Sequence, residues 1–263
     1  MRNSLSPCGL ITLTTDFGTR DPYVAAMKAV LIGACPAARV VDLSHDVPAY
    51  DWRGAAYVLG ACHADFPRGS VHVVVVDPGV GSARRALCVV TARGWFVGPD
   101  NGCLDDAVRD AGFRAAFRIA RSPRPVSATF HGRDLFAPVA GRLAAGQDPR
   151  ALLEPTDWRP RLRALSARRR AGALVGQVVW VDRFGNLITT VRRADLPRAR
   201  AVTGHVGDQR VERLLRTYAD ARDTAPFFLW GSSGRLEVSV REGSAAERLG
   251  VGSGCAVSVR AGR

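Results

Sequence analysis

The sequence predicts an α/β protein: an N-terminal, mainly parallel β-sheet sandwiched by helices, followed by a smaller antiparallel, β-barrel-like domain. Over residues 8–150, strand-like apolar runs alternate with helical patterns, which is typical of a parallel sheet. From residue 173 to 263 the pattern changes to short strands separated by turn residues, which is typical of antiparallel structure. Between them, residues 151–172 are rich in Pro and Arg and show little periodicity, so we interpret them as a linker.

The N-terminal domain opens with alternating strands and helices. Asp21 is placed to cap the first helix, with Pro22 in its first turn, and Asp51 is placed to cap the second helix. The run that precedes Asp77 is apolar and β-branched, which suits a strand buried on both faces of a parallel sheet. The predicted strands of this part are Leu10–Thr15, Arg39–Leu43 and Val71–Val76.

The rest of the chain continues both patterns. Two strands joined by a turn at Arg93–Gly94 come next in the N-terminal domain, and helices then alternate with a further strand. These strands are Ala86–Thr91, Trp95–Gly98 and Phe113–Ile119, and the helices are Leu104–Ala111 and Leu135–Ala145. The predicted strands of the C-terminal domain are Leu174–Val181, Leu187–Val191, Ala201–Val206, Phe227–Trp230, Leu236–Val240 and Ala256–Val259.

The composition is that of an ordinary soluble globular protein. The chain has 263 residues, 47% hydrophobic and 23% charged, and no apolar run approaches the roughly 18 residues of a membrane span. The segment Met1–Gly9 is too short and too polar for a signal peptide, so we expect a cytoplasmic protein without a membrane partner. The six cysteines form no CxxC pair, which predicts reduced structural thiols and no metal site.

The net charge of +13 raises the question of nucleic-acid binding. Of the 37 basic residues only Lys28 is a lysine, which indicates codon bias more than a selected basic patch. The arginines are scattered, and the clusters at 159–163 and 168–170 flank or lie in the predicted linker, where charge runs are usually solvated. We therefore expect no nucleic-acid partner; a strongly salt-dependent complex with RNA or DNA would contradict this.

Polar side chains gather where the predicted parallel strands end, an edge at which α/β proteins bind ligands. Asp77 follows a buried strand and precedes a Gly-containing loop with two arginines, although a plain surface turn fits the same residues. Carboxylates at this edge can bind ribose hydroxyls or an ammonium group, and Asp, Arg and His together can position and polarise water. The candidates are Asp16, Asp21, Tyr50, Asp51, Asp77, Arg84, His131, Arg133 and Asp134. The glycines spell neither GxGxxG nor a P-loop, which disfavours ordinary dinucleotide or nucleoside-triphosphate binding.

Two turns of the C-terminal domain carry further candidates. In the first, Asp182, Phe184 and Asn186 lie close together, and Phe can stack on a purine while Asn reads its edge; an ordinary hairpin loop is the alternative. In the second, Ser232 and Ser233 offer hydroxyls and exposed amides that suit a carboxylate.

Taken together, these segments resemble the S-adenosyl-L-methionine (SAM) hydroxide adenosyltransferases, which are related to fluorinating and chlorinating enzymes that also act on SAM. The resemblance runs in order from about residue 10 to residue 260, through both domains. The matching motifs are Thr14-Thr15-Asp16-Phe17-Gly18, Ser44-His45-Asp46-Val47-Pro48, Val76-Asp77-Pro78-Gly79-Val80-Gly81, Gly98-Pro99-Asp100-Asn101-Gly102, Thr129-Phe130-His131-Gly132-Arg133-Asp134, Asp182-Arg183-Phe184-Gly185-Asn186-Leu187 and Ser232-Ser233-Gly234.

The resemblance implies hydrolysis of SAM to adenosine and methionine, with SAM as substrate and no cofactor. It further implies a homotrimer whose sites lie between the α/β domain of one subunit and the β domain of the next. Asp77, Arg84 and His131 match the family's catalytic set, in which the acid selects water or hydroxide over halide. The implied substrate contacts are Asp16 for the ribose, Asp21 and Asp182 for the ammonium group, Phe184 and Asn186 for adenine, and Ser232 and Ser233 for the carboxylate.

The sequence departs from the family pattern at a few positions. Tyr50 stands where halogenating relatives carry a tryptophan, and Arg241 and Glu242 replace amide residues expected near the adenine. Arg84 and Arg85 are adjacent, so the pattern alone does not decide between them. The alternatives are a SAM halogenase, which makes a 5′-halo nucleoside, and a non-catalytic protein that binds SAM or adenosine.

Overall fold

The N-terminal unit is built on a seven-stranded mixed sheet. The structure is a computed structural model that describes residues 5–120, 125–161, 165–197 and 201–262. Its chain forms two compact units, Met1–Ala164 and Leu165–Arg263. The strands of the first are β1 Leu10–Thr15, β2 Arg39–Ser44, β3 Ser70–Val75, β4 Ala86–Thr91, β5 Gly94–Pro99, β6 Phe113–Arg118 and β7 Glu154–Thr156.

The sheet follows the order β2-β1-β3-β5-β4-β6-β7. Strands β2, β1, β3 and β5 are parallel, whereas β4, β6 and β7 join in antiparallel pairs. Strand β3 lies at the centre and all of its residues are buried, as its apolar run predicts. The parallel strands bring the ends of β1 and β3 to the same edge, where Asp16 and Asp77 lie.

Helices cover both faces of this sheet. The helices are α1 Tyr23–Ala34, α2 Trp52–Cys62, α3 Asp105–Asp110, α4 Ala137–Ala144 and α5 Pro149–Leu152. On one face, Met27 and Leu31 of α1 and Leu143 of α4 pack against Ile11 and Leu13 of β1. Helix α2 contacts β1, β2 and β3 and also α3, and it covers the opposite face. The predicted fold class is confirmed by this layered arrangement.

Two details of the helices differ from the prediction. Asp21 does not cap α1, because Pro22 occupies the N-cap position and no side chain bonds the free amides there. The predicted helix Leu135–Ala145 instead consists of a π-helical turn, Gly132–Phe136, followed by α4. Asp51 does cap α2, accepting hydrogen bonds from the amides of Arg53 at 3.1 Å and Gly54 at 3.0 Å.

The C-terminal unit is an antiparallel, barrel-like sheet of eight strands. They are β8 Arg168–Arg170, β9 Ala173–Val181, β10 Leu187–Arg192, β11 Ala201–Val206, β12 Gln209–Val211, β13 Phe227–Trp230, β14 Arg235–Ser239 and β15 Ala256–Gly262. The order is β12-β11-β15-β9-β10-β14-β13, with β8 also paired to β9. A short helix, α6 Ala245–Leu249, precedes β15, and Val178, Phe228 and Val257 lie in the core.

The segment 151–172, interpreted as a linker, contains ordered structure on both sides of the boundary between the units. Strand β7 pairs with β6 in the first sheet, and β8 pairs with β9 in the second. Pro155 lies in β7 at the edge of its sheet, where a residue without an amide proton is tolerated. None of the helices in the described ranges is long and apolar enough to cross a membrane.

Candidate active site

Asp77, Arg84 and His131 form one hydrogen-bonded cluster at the end of β3. Arg84 Nε donates to Asp77 Oδ1 at 2.9 Å, and Arg84 Nη2 donates to Asp77 Oδ2, so the pairing is bidentate. The same Nη2 lies 2.7 Å from His131 Nδ1. The side chains of Asp77 and Arg84 are only 5% and 11% exposed, and the Arg84 guanidinium lies 5.4 Å from the Phe136 ring centroid. The structure therefore brings together the three predicted catalytic residues.

The contact with Arg84 determines the protonation of His131. A guanidinium can only donate, so His131 Nδ1 must accept, and the ring is neutral with its proton on Nε2. Burial and the Arg84 charge lower the pKa of His131, against an opposite effect of Asp77 and Asp134. His131 can thus donate a hydrogen bond from Nε2, while the Asp77 carboxylate keeps lone pairs that can accept a proton from water.

Arg85 points elsewhere. Its Nε donates to Asp100 Oδ2 at 2.9 Å, and its Nη1 lies 3.3 Å from Thr156 Oγ1 in β7. Asp100 also accepts from Trp158 Nε1 at 2.9 Å. Arg85 therefore belongs to a hydrogen-bonded cluster with Asp100 and Thr156. Of the two adjacent arginines, Arg84 is the one that contacts Asp77 and His131.

A glycine and a π-helical turn bring the cluster of Asp77, Arg84 and His131 into place. Gly81 has a φ of +77°, and a Cβ there would lie 2.5 Å from the carbonyl oxygen of Ala128, so the loop that carries Arg84 requires glycine. His131 directly precedes the π-helical turn, a feature that is frequent at functional sites. Asp134 within this turn accepts a hydrogen bond from Ser127 N at 2.9 Å. This bond fixes the chain segment that leads into His131.

Asp16 and Tyr50 lie beside this cluster. Asp16 Oδ2 accepts a hydrogen bond from the backbone amide of Tyr50 at 2.9 Å. Burial raises the pKa of Asp16; the Tyr50 amide opposes this rise and the nearby Asp77 charge adds to it. Tyr50 has a φ of +68°, an unfavourable conformation for a residue with a side chain, and such strain is often found at functional sites. Tyr50 is 71% exposed.

A cavity of about 290 Å³ opens between these side chains. Its walls include Asp16, Tyr50, Asp77 and His131 together with residues that the sequence analysis did not select, namely Phe17, Tyr23, Ala49, Val75, Val80, Thr129, Phe130 and Gly132. The rings of Phe17, Tyr23 and Phe130 pack edge-on or tilted, with centroids 5.3 to 6.1 Å apart. Phe17 and Phe130 are within the quoted motifs, and their closeness to Asp16 and His131 was the signal that pointed to them.

Asp21 lies at the surface near α1 and does not line this cavity. A larger cavity of about 630 Å³ lies elsewhere in the unit, between the N-terminal segment, β4, β6 and the turn after α4. Its walls lack the predicted catalytic residues, so size alone would point to the wrong place. Within the described ranges, no group of three His, Cys, Asp or Glu side chains is arranged to hold a metal ion.

In the C-terminal unit, Asp182 organises the loop that carries Phe184. Its Oδ1 accepts from the amides of Phe184 and Asn186, both at 2.9 Å, and its Oδ2 accepts from Asn186 Nδ2 at 2.8 Å. Gly185 is required here, because a Cβ would lie 2.1 Å from Ser244 Oγ. Asn186 is buried, whereas Phe184 is 76% exposed. The loop therefore presents a rigid backbone and one free aromatic ring, which is the form of a stacking platform.

The second turn connects β13 and β14. Ser232 is exposed, and Ser233 Oγ is buried without a hydrogen-bond partner among the described residues. The sequence analysis missed Glu237 below this turn: a Cβ at Gly231 would lie 1.6 Å from Glu237 Oε1. Tyr218 donates to Glu237 Oε2 at 3.1 Å, and burial raises the pKa of Glu237. In the sequence, Glu237 stands between the apolar residues Leu236 and Val238, and this charged position was the signal that could have identified it.

Activity is expected to decline as the pH falls below the ordinary histidine pKa of 6.5. Because burial lowers the pKa of His131, the ring stays neutral through pH 7 and is protonated only on further acidification. The unfolded chain takes up this proton first, so the stability of the fold also falls with pH through the same window. A profile of kcat/KM and of thermal stability between about pH 4 and pH 8 checks both expectations. A decline that begins above pH 7 would contradict them.

Replacing Phe184 by alanine is expected to weaken adenosine binding by about 5- to 150-fold, since a stacked base contributes about 1–3 kcal/mol. The ring is exposed, so the melting temperature should remain close to that of the wild type. Isothermal titration with adenosine measures the effect. Ile32→Ala, which removes an apolar side chain that is 49% exposed on α1, is the control. Equal affinity in the Phe184 variant would exclude the stacking role.

The comparisons with known proteins identify the family. Models of the SAM hydroxide adenosyltransferase N-terminal and C-terminal domains match residues 11–153 and 176–258. A Thermus thermophilus relative, named (R)-S-adenosyl-L-methionine hydrolase, is 43% identical over 257 residues, which cover 92% of this chain and 96% of the relative. A fluorinase from Actinoplanes is more distant, at 28% identity over 78% of each chain. The structure of an uncharacterized conserved protein from Thermotoga maritima has a TM-score of 0.86 and 30% identity, covering 95% of this chain and 99% of that chain. The chain therefore belongs to the SAM hydroxide adenosyltransferase family.

Proposed function

We propose that the protein hydrolyses SAM to adenosine and L-methionine. The observation that carries this proposal is the Asp77–Arg84–His131 cluster, in which Asp77 and His131 line the same cavity as Asp16. The acid at position 77 favours water over halide, because a buried carboxylate repels an anion. The names of relatives at 34–43% identity support the same reaction.

The reaction is a displacement at C5′. An oxygen–carbon bond forms as the C5′–sulfur bond breaks, and the sulfonium leaves as a neutral thioether, so sulfur needs no proton. The water molecule loses one proton, which Asp77 is placed to accept. His131 Nε2 and the Arg84 guanidinium supply donors that hold the oxygen and stabilise its developing charge. The cluster thus positions a desolvated nucleophile in line with the leaving group.

Product analysis tests the reaction. Purified protein is incubated with SAM in halide-free buffer, and the products are separated by chromatography. We expect adenosine and methionine in equal amounts, at a rate that added chloride or fluoride does not change. A 5′-halo nucleoside in the halide arms would establish the halogenase alternative, and tight adenosine binding without methionine release would establish a non-catalytic binder.

The sulfonium centre adds a second question. The Thermus relative is named for the (R) epimer of SAM. We propose the same preference here, and the remaining SAM of an epimeric mixture should become enriched in the (S) form as the reaction proceeds. Chromatography that resolves the two epimers measures this. Equal consumption of both epimers would remove the preference and leave the hydrolysis itself intact.

We also propose a homotrimer whose sites combine the α/β domain of one subunit with the β domain of the next, as the family resemblance implies. The candidate residues form two sets, one on each unit, and the proposal assigns the two sets of one site to different subunits. Light scattering measures the assembly. Co-expression of Asp77→Ala chains with chains that carry Asp182→Ala and Phe184→Ala tests the shared site: intact sites reappear in mixed oligomers only if each site takes residues from two subunits.

A cytoplasmic location and a reaction without cofactor complete the proposal. The electrophile is C5′ of SAM itself and the leaving group departs as a neutral species, so the departure needs no further acid. Dialysis against a chelator should leave turnover unchanged. Fractionation of cells that produce the protein should place it with cytoplasmic markers.

A further inference from the structure

The motif Ser44-His45-Asp46-Val47-Pro48 has no role in the reaction described so far, yet His45 is almost wholly buried, at 6% exposure. It lies in the loop between β2 and α2, residues 45–51, which also contains Tyr50. His45 Nδ1 is 2.8 Å from Thr15 Oγ1, at the last residue of β1 and immediately before Asp16. This places a buried histidine one residue from the carboxylate assigned to the ribose.

Two further contacts join His45 to the segment around Asp16. The carbonyl oxygen of His45 accepts a hydrogen bond from Gly18 N at 2.8 Å. Thr15 Oγ1 accepts from Phe17 N at 3.3 Å, so its own proton is available for His45 Nδ1. The backbone on the C-terminal side of Asp16 is thus held by His45 directly and through Thr15.

The other ring nitrogen faces an acid. His45 Nε2 lies 3.0 Å from Asp42 Oδ1, without hydrogen-bond geometry, so we treat this contact as electrostatic. Asp42 Oδ2 accepts from Lys28 Nζ on α1 at 2.6 Å. With Thr15 Oγ1 donating to Nδ1, the ring proton lies on Nε2, the nitrogen that faces the Asp42 carboxylate. The imidazole is therefore held on both edges.

We propose that His45 is a positioning residue that holds Asp16 in place for the ribose hydroxyls. The loop binds the Asp16 segment at two points: His45 and Thr15 fix its backbone, and the Tyr50 amide holds one carboxylate oxygen. With its neighbouring backbone and one of its oxygens both held, the Asp16 carboxylate meets the hydroxyls without first having to be ordered. This inference rests on the proposed contact between Asp16 and the ribose.

The test compares adenosine with 2′,3′-dideoxyadenosine, which lacks the hydroxyls that Asp16 would bind. In the wild type we expect adenosine to bind about 10- to 100-fold more tightly. Hydrogen bonds to a charged group typically increase the affinity by this amount. His45→Ala should reduce this ratio by at least about threefold while the affinity for the dideoxy compound stays the same. Thr15→Val, which keeps the shape and removes only the hydroxyl, should act in the same direction.

The chain offers a matched control. His72 is 4% exposed, and its Nδ1 lies 2.9 Å from Thr12 Oγ1, so it forms an equally buried His–Thr pair in the same sheet. His72→Ala and Thr12→Val should lower the melting temperature and leave the ligand ratio unchanged. If His45→Ala does not fold, Thr15→Val removes the same contact from the other side and carries the test.

The outcomes separate this inference from the function on which it rests. If Asp16→Ala keeps the preference for adenosine, the ribose assignment is wrong and the positioning role is overturned with it. If Asp16→Ala abolishes the preference while the His45 and Thr15 variants retain it, only the positioning role is overturned. An equal loss in the His72 variants would show a general effect of core disruption and would also overturn it.

Discussion

Replacing Asp77 by asparagine is expected to lower kcat by about 10²- to 10⁴-fold, the usual contribution of a general base. Asparagine keeps the shape and one hydrogen-bond acceptor for Arg84, but it cannot take a proton from water. The affinity for SAM should change little, because the acid acts on the nucleophile and not on the substrate. Single-turnover rates and substrate affinity measured on the same preparation distinguish these effects.

Asp100→Asn is the control for this variant. The Asp100 side chain is 7% exposed against 5% for Asp77, and it too is bonded by an arginine. We expect Asp100→Asn to lose stability and to keep its turnover. If Asp77→Asn retains turnover within about threefold of the wild type, the base assignment fails, since 10²-fold is the lower limit of the expected contribution.

Replacing Arg84 by alanine is expected to lower kcat by about 10²- to 10³-fold, as the loss of one donor to a developing charge typically does. The variant also leaves Asp77 without its partner in a site that is 5% exposed, and removing one member of a buried ion pair costs about 3–5 kcal/mol. We therefore expect lower turnover together with a lower melting temperature. Arg84→Lys should recover part of the charge but not the bidentate pairing.

The neighbouring Arg85→Ala provides the comparison. Arg85 is 38% exposed and pairs with Asp100, so its loss should affect stability modestly and leave the chemical step intact. Quenched-reaction assays of both variants measure the turnover, and thermal unfolding measures the stability. The assignment of the site arginine would have to be reversed if Arg85→Ala lost turnover and Arg84→Ala kept it.

The contrast between these arginines shows where sequence reasoning ends. Both follow the same glycine loop and have the same chemistry, so composition and spacing cannot separate them. The structure separates them because Arg85 directly precedes β4, and successive side chains at a strand point to opposite sides. Arg84 therefore turns toward Asp77 while Arg85 turns toward Asp100.

Strand positions were the part that the sequence predicted well. The run at β3 is apolar over its whole length because both of its faces are buried, and the Arg93–Gly94 turn marks the β4–β5 hairpin. That hairpin also explains why the sheet is mixed, since strands joined by so short a turn must run antiparallel. The π-helical turn was not predictable, because helical periodicity does not reveal one extra residue in a turn.

Helix capping was only half predictable. Asp21 and Asp51 both precede a helical pattern, yet only Asp51 accepts bonds from the free amides of its helix. Pro22 takes the N-cap position of α1 itself, which moves Asp21 outside the helix. Asp21, predicted as a cap and as an ammonium contact, is thus exposed outside α1, whereas Asp51 caps α2 as predicted.

The bond between Asp16 and Tyr50 has a consequence for how this family can diversify. The donor is the main-chain amide of Tyr50, so a change of side chain at this position leaves the bond in place unless the new residue is proline or a β-branched residue that the positive φ disfavours. The exposed ring can therefore be exchanged without removing the support of the neighbouring carboxylate. At position 50 the side chain that lines the cavity can change during evolution, while the hydrogen bond from the backbone amide to Asp16 is kept.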